Sequence, residues 1–537
     1  MQTYVSCEHI PIRPRSVALG LFDGLHPAHR QVILSATMDI DDDTAVAVYT
    51  FDPATVTTKA VSRLTDDEEE EHLLTRMGAD ELFRVDFTTV QHLSPADFVH
   101  NILKEQLGAV KVSCGYNYRF GYRGEGDTAL LTKLCAEAGI SVTVVPEIDI
   151  DGIPVSSTAI RVAIADGDML LTRRLMGRPY RLCAPVIEGQ HLGSKLEFPT
   201  INQVFPDGFA LPRFGVYASC VEMEGETYPA VTNIGVRPTV GADAPLAETH
   251  IFGFSGDLYG KTPCVYPLCY LRPEQTFPSL DALQEQIRQD TATAAALFDG
   301  EQTHGIKAVF FDFDDTLDNR DAAFRVGLSA FLTYYYPSLS EEEIAARCEE
   351  MFCFQRGHYG EIIYYRDMLA HFLEKWPPEI PTDVPTAYRR MIAAFAAAGQ
   401  PHPDVYETLI ALRERGYLIG IITNGTARTQ SLKIDHSGLR LYTDLVVLAG
   451  EEGVQKPDPR IFYMAAARLG VPPTACLFVG DHPKNDLEGA RAAGFKPVRK
   501  VWDFDADHPI RHIPVAEDYP SIRNISEVLS LLDNTPT

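Results

Sequence analysis

Short apolar runs at residues 17–22, 45–51, 110–114 and 141–146 alternate with amphipathic stretches through the first third of the chain. Strands buried on both faces read as near-continuous hydrophobic runs, and the helices crossing between them carry one apolar face. The alternation therefore predicts a parallel α/β sheet. From about Arg181 the texture changes: Gly, Pro and Thr become frequent, and short alternating runs appear at 215–222 and 262–270. That pattern predicts a small antiparallel β-barrel, closed by a helix over 279–297. Residues 299–305, DGEQTHG, read as a linker. The βα pattern then returns, with buried strands expected at 307–311, 417–423 and 476–479 and a mostly helical insertion over about 320–400. The expected fold class is multidomain: an α/β domain over 1–180, the barrel over 181–298, and a second α/β domain over 306–537 with a helical cap.

At 537 residues the chain is too long for one core, in keeping with that division. Hydrophobic residues make up 45% and charged residues 23%, ordinary for a globular protein. The formal net charge of -27 argues against a general nucleic-acid or anionic-membrane binder, because both need a positive surface. It leaves room for nucleotide binding, which uses a few local groups. No apolar run approaches 20 residues, and the N-terminus lacks the apolar core of a secretory signal. The ten cysteines include no CxxC pair, and Cys264/Cys269 and Cys348/Cys353 lack partners at metal-ligand spacing. Buried reduced thiols and a cytoplasmic location are the expectation.

Residues 20–29, GLFDGLHPAH, run from a strand end through a Gly-containing turn into a helix. Two histidines three residues apart at a helix start can both face a phosphate beside free backbone N–H groups. Such a site stabilises charge on the α-phosphate and the departing pyrophosphate without a covalent nucleophile. The segment resembles the GxFDGxHxGH signature of FAD synthetases, within the nucleotidyltransferase superfamily, whose domain is Rossmann-like. Two more stretches follow in that family's order: CGYNYRFGYRGEGDT at 114–128, and VSSTAIR at 155–161 with MGRPY at 176–180. The resemblance implies that His26 and His29 act on ATP phosphates, with Gly20, Phe22, Asp23, Gly24, Ser157, Thr158 and Arg161 binding nucleotide. Departures are Ala28 between the histidines, Asn117 where Asp is common, and Ala54–Thr55 where His-Pro is usual.

Residues 189–202, GQHLGSKLEFPTIN, place a hydroxyl and an amide two residues apart on one side of an extended segment. Both offer oxygen to a hard cation such as magnesium. Further on stand FGVYA (214–218), NIGVRPTVG (233–241) and ETHIFGFSGDLYGK (248–261). A carboxylate on a strand can take the proton of an attacking hydroxyl. As an ordered set these stretches resemble riboflavin kinase over about 181–297. The resemblance implies Gly189 and Gly193 as ATP-binding, Thr200 and Asn202 as ligands of magnesium-ATP, and Glu248 as the base for the terminal ribityl hydroxyl. Ser194 and Glu197 stand where Arg and Gly are usual.

Residues 310–317, FFDFDDTL, end an apolar strand in Asp-x-Asp-x-Thr, with Asp312 and Asp314 on one side at the carboxyl end. One carboxylate can attack phosphorus while the other, protonated, serves the leaving oxygen. Thr423 and Asn424 in IITNG, Lys456 in QKPDPRIF, and Asp481 and Asp486 in VGDHPKND follow in order. The set resembles the haloacid dehalogenase (HAD) superfamily, whose core is Rossmannoid. The resemblance implies Asp312 as nucleophile and Asp314 as acid/base. Thr423, Asn424 and Lys456 bind phosphate, and Asp312, Asp314, Asp481 and Asp486 serve magnesium.

Taken together, the expected protein makes FMN from riboflavin and ATP and FAD from FMN and ATP. The fused magnesium-dependent phosphatase acts on a riboflavin-pathway phosphate ester, a ribitylamino-pyrimidine phosphate or FMN. Its partners are these small molecules, with neither nucleic acid nor membrane. The competing expectations are nucleotidyl transfer to another acceptor, with the hydrolase a general phosphatase, and a non-catalytic hydrolase scaffold. Aromatic segments 331–337 and 351–365 are expected in the cap core rather than in substrate contact.

Overall fold

Parallel pairing organises both ends of the chain and antiparallel pairing its middle. The computed structural model describes residues 1–56, 62–188, 198–236, 244–301, 303, 305–357, 365–502, 513–515 and 518–533. In the first region six parallel strands lie in the order Gln2–Tyr4, Glu81–Val85, Ala45–Phe51, Arg15–Leu19, Ala109–Gly115, Ser141–Val145. Val17, Ala18 and Leu19 are buried, as a central strand covered on both faces requires. The strand order reverses beside Arg15–Leu19, so the loop leaving that strand opens at the crevice where such sheets bind ligands.

The middle region is a curled antiparallel sheet, a half-barrel rather than a closed one. Its order is Ile201–Val204, Pro245–Ile251, Glu226–Val236, Gly215–Met223, Cys264–Arg272, Leu182–Cys183. Among the described residues a single bridge, Ile187 to Asn202, draws the two edges together. Helix Leu280–Ala296 packs against this sheet through the fully buried Ala294. The cysteine expectation is corrected here. Cys183 and Cys264, opposite each other in the register, are joined as a disulfide, and Cys269 and Cys353 are exposed. The partner lies 81 residues away, beyond any local spacing rule.

The C-terminal sheet is all parallel, in the order Leu445–Leu448, Leu418–Thr423, Ala308–Phe311, Cys476–Gly480, Lys496–Lys500, Ser521–Ile522. Between its first two strands in sequence the described residues form four cap helices, Arg320–Tyr335, Glu341–Gly357, Tyr365–Lys375 and Val384–Ala398. Phe331, Tyr335, Met351 and Phe352 are buried together, so the described part of the aromatic segments is cap core.

Leu34 of helix Pro27–Thr37 and Leu432 of helix Ala427–His436 join the same apolar cluster. Ion pairs cross the same boundary: Arg30 to Asp435 at 2.8 Å and Arg174 to Asp444 at 2.7 Å. Arg468 reaches Glu222 of the middle sheet at 2.6 Å. No helix among the described residues is long and apolar enough to cross a membrane.

Candidate functional sites

The loop from Gly20 to His26 turns sharply. Gly24 has φ +84°, and a Cβ there would meet Leu64 at 2.7 Å, so both backbone and space call for glycine. Phe22 and Leu25 also sit at positive φ, 50° and 40°, conformations costing about 1–3 kcal/mol each that surrounding contacts must hold. Those contacts are present. Asp23 accepts from Leu64 N at 2.9 Å and pairs with Arg161, Ser157 Oγ donates to Asp23 O at 2.8 Å, and Arg178 donates to Gly24 O at 2.7 Å. Ser157 and Arg161, expected at the nucleotide, thus hold the loop, while Thr158 is exposed one residue on. Arg178, within the MGRPY stretch, was missed among the site residues.

His26 caps helix Pro27–Thr37, its Nδ1 accepting from His29 N at 3.3 Å, with Pro27 pre-set at the first helical position. The two imidazoles stack with centroids 3.6 Å apart. Burial, with Arg178 nearby, lowers His26 to about 3. Burial and His26 hold His29 well below its ordinary value, so both rings are neutral. Ala28 is partly buried against the apolar cluster that includes Val155, Ile160 and Met176.

In the half-barrel, register puts Asn202 opposite Glu248, and Glu248 opposite Asn233. These three and Thr200 line a cavity of about 720 Å³ that also takes in Tyr259 and Arg272. Asn233 stands in the NIGVRPTVG stretch but not among the site residues expected from the sequence. Gly189 and Gly193, with Ser194 and Glu197, lie outside the described residues.

In the third region, three adjacent strand ends converge. Asp312 follows Ala308–Phe311, Thr423 ends Leu418–Thr423, and Asp481 follows Cys476–Gly480. Asp312, Asp481 and Asp486 are buried, and one oxygen of each lies within 4.8 Å of the others. Gly480 makes the approach possible, since a Cβ there would meet Asp486 Cβ at 2.5 Å. Lys456 Nζ donates to Asp312 at 2.5 Å and to Asp486 at 2.6 Å. Asn424 clamps Lys456 by two main-chain bonds, each 2.9 Å.

Burial raises Asp312 to about 7, with Asp486 adding repulsion that Lys456 only partly offsets. Asp481 is pushed well up by burial and by Asp486. Asp314 stands apart from this cluster. Burial pushes its carboxyl up, but Lys433, Arg320 and Gln430 outweigh that and hold it below its usual range. Gln430 donates to Asp314 at 2.9 Å and to Thr423 Oγ1 at 2.7 Å, and Lys433 pairs with Asp314. Neither Gln430 nor Lys433 was foreseen; the available signal was two long polar side chains three apart on a helix buried on most sides.

The site geometry and fold define a chain with two phosphate-handling regions ahead of an aspartate-centred hydrolase region. Family models match in the same order: FAD synthetase over 11–159, riboflavin kinase over 176–298, and haloacid dehalogenase-like hydrolase over 306–494. A bifunctional riboflavin kinase/FMN adenylyltransferase of Pseudomonas fluorescens is 34% identical over 291 residues, covering 52% of this chain and 91% of the relative. The enzyme of the same description from Escherichia coli K12 is 34% identical over 289 residues, covering 52% and 92%. The chain belongs to the bifunctional riboflavin kinase/FMN adenylyltransferase family and carries a haloacid dehalogenase-like hydrolase region behind it.

Proposed function

We propose that residues 1–180 adenylylate FMN, residues 181–298 phosphorylate riboflavin, and residues 306–537, with their cap at about 320–400, hydrolyse a phosphate ester of the riboflavin pathway in the cytoplasm. The observation that carries the kinase reading is the row Asn202–Glu248–Asn233 along a cavity of the size small ligands occupy. Glu248 would take the proton of the ribityl hydroxyl as it attacks the γ-phosphate of ATP, while Thr200 and Asn202 would hold magnesium-ATP. In the transferase, neutral His26 and His29 would donate N–H groups to the phosphate oxygens where charge builds up.

For the hydrolase, the carrying observation is the buried triad Asp312, Asp481 and Asp486 around Lys456. Three clustered carboxylates against one ammonium leave an excess of negative charge, a donor set that fits a hard divalent cation. Magnesium held there would neutralise charge on the phosphate oxygens. Asp312 attacks phosphorus as the ester bond breaks, and Asp314, whose neighbours favour the ionised carboxyl in the free site, gives the leaving oxygen a proton taken up with the ester. Water then attacks the phosphoaspartate, returns a proton to Asp314 and frees Asp312. The net change is ester plus water to alcohol plus phosphate.

The favoured substrate is a ribitylamino-pyrimidine phosphate, because hydrolysing FMN beside a riboflavin kinase would only consume ATP. Products are followed with riboflavin, ATP and magnesium, then with each phosphate ester and with Asp312→Asn as control. FMN followed by FAD, and pyrimidine-phosphate hydrolysis lost in Asp312→Asn, is the expected result. Hydrolysis of FMN with the pyrimidine phosphate untouched overturns the substrate assignment, and absence of FMN favours transfer to another acceptor.

A further inference from the structure

Helix Ala427–His436 follows the phosphate-binding strand end and is capped by Thr426, whose Oγ1 accepts from Thr429 N at 3.3 Å. Its two faces look in different directions. Gln430 and Lys433, three residues apart, reach Asp314, while Ser431 and Asp435 face Arg30 and Arg440. Lys433 is fully buried, its ammonium 5.0 Å from the Phe313 ring centroid and 4.6 Å from that of Phe395 in the cap. A buried ammonium is costly, and an apolar side chain of similar length would pack there without that cost. What the ammonium adds is direction. With Gln430 on Oδ2 and Lys433 on Oδ1, both oxygens of Asp314 are tethered and the carboxylate plane is fixed.

We propose that Lys433 and Gln430 are positioning residues for Asp314, holding its carboxyl where the ester oxygen departs and the attacking water enters. The inference rests on the acid/base role given to Asp314 above. A proton that Asp314 takes up with the bound ester passes to the leaving oxygen as the P–O bond breaks, and the attacking water replaces it in the second step. Lys433 and Gln430 exchange no proton. They keep the donor aligned, and misalignment costs most where the leaving group most needs a proton.

The test compares phenyl phosphate, a poor leaving group, with 4-nitrophenyl phosphate, a good one of similar shape, in the full chain with magnesium. The readout is kcat/KM, which reports steps up to loss of the leaving group. Lys433→Met is expected to lower kcat/KM for phenyl phosphate by about 10²-fold, the lower range for general acid catalysis, and for 4-nitrophenyl phosphate by roughly tenfold or less. Lys433→Arg, which keeps a buried donor, recovers most of the difference. Equal losses on both esters, or no loss, overturn the proposal. If Lys433→Met does not fold, Gln430→Leu, which leaves the buried ion pair in place, carries the same comparison and the same overturning outcomes. Asp314→Asn is run beside them. Full activity of Asp314→Asn on phenyl phosphate rejects the acid/base assignment itself, whereas its loss with unchanged Lys433 and Gln430 variants rejects only the positioning.

Discussion

At the hydrolase site, Asp312, Asp481 and Asp486 meet Lys456 in a buried cluster, and Asp314 meets Lys433, so formal charges sit a few ångströms apart. In the loop at 20–29, two imidazoles stack under comparable burial with Arg178 and Arg161 near His26, and both stay neutral. The hydrolase site is organised by ion pairs that cannot lose one member cheaply. The loop is organised by a strained turn and a helix start, held by Ser157, Arg178 and the Asp23–Arg161 ion pair. Phosphate chemistry can therefore be prepared in two ways: by clustered carboxylates around one ammonium, or by neutral imidazoles beside arginines that already hold the loop.

The sharpest way to break this comparison is to remove one member of each set. Lys456→Met leaves two buried carboxylates uncompensated, and breaking such a pair costs about 3–5 kcal/mol. Hydrolysis of 4-nitrophenyl phosphate should fall to background and the hydrolase region should unfold at lower urea, with FMN formation retained. His26→Asn removes a neutral donor, so adenylyl transfer should fall by about 10²–10³-fold with little loss of stability near neutral pH. Equal destabilisation by both changes would show that the two sites do not differ as described.

How much of this could be read from the chain depends on the range of the interaction. The parallel sheets were legible because their strands are apolar throughout, and Asp312, Thr423 and Asp481 because each ends such a strand. The partners that orient those groups were not. Lys433 lies 119 residues from Asp314, and Asp435 lies 405 from Arg30, distances at which no periodicity connects them. Ser157 and Arg161 are expected at the nucleotide from the sequence, whereas their contacts to Asp23 depend on how a helix packs back on the loop. The half-barrel was legible as antiparallel from alternation, yet alternation does not say whether the two edges join.

The boundary between the regions offers an intermediate effect. Arg30 donates to both Asp435 and Ser431, but Arg440 also pairs with Asp435, so the carboxylate keeps a cation when Arg30 is removed. Arg30→Met is expected to cost about 1.5–3 kcal/mol, the range for a hydrogen bond to a charged group, below the loss from Lys456→Met. Urea unfolding followed by tryptophan fluorescence measures it. A cost above that of Lys456→Met would place the strongest charge balance at the boundary rather than in the site.

A pH series sharpens the contrast further. Above pH 6.5 His26 is neutral in both folded and unfolded chains and adds no pH dependence. Below that, the unfolded chain takes up a proton that folded His26, held to about 3, refuses, so stability falls as pH drops from about 6.5 towards 3. At pH 5 the loss attributable to this group is about 2 kcal/mol. His26→Asn should therefore lose less stability than the wild type between pH 7 and pH 5, measured by urea midpoints, and identical losses would mean that the imidazole is not held neutral.

The smallest effect belongs to Ala28. Glycine is usual between the two histidines of the family signature, which suggests that a methyl there would crowd a phosphate. Here Ala28 is partly buried against the apolar cluster that joins the first sheet region to the half-barrel. Ala28→Gly removes that contact and frees the backbone in the first helical turn, at a cost of about 0.5–1 kcal/mol. Adenylyl transfer should be unchanged within twofold and the urea midpoint slightly lower. A marked gain in FAD formation would mean that the residue does hinder the nucleotide, and that the loop around the paired histidines moves from this arrangement when ATP binds.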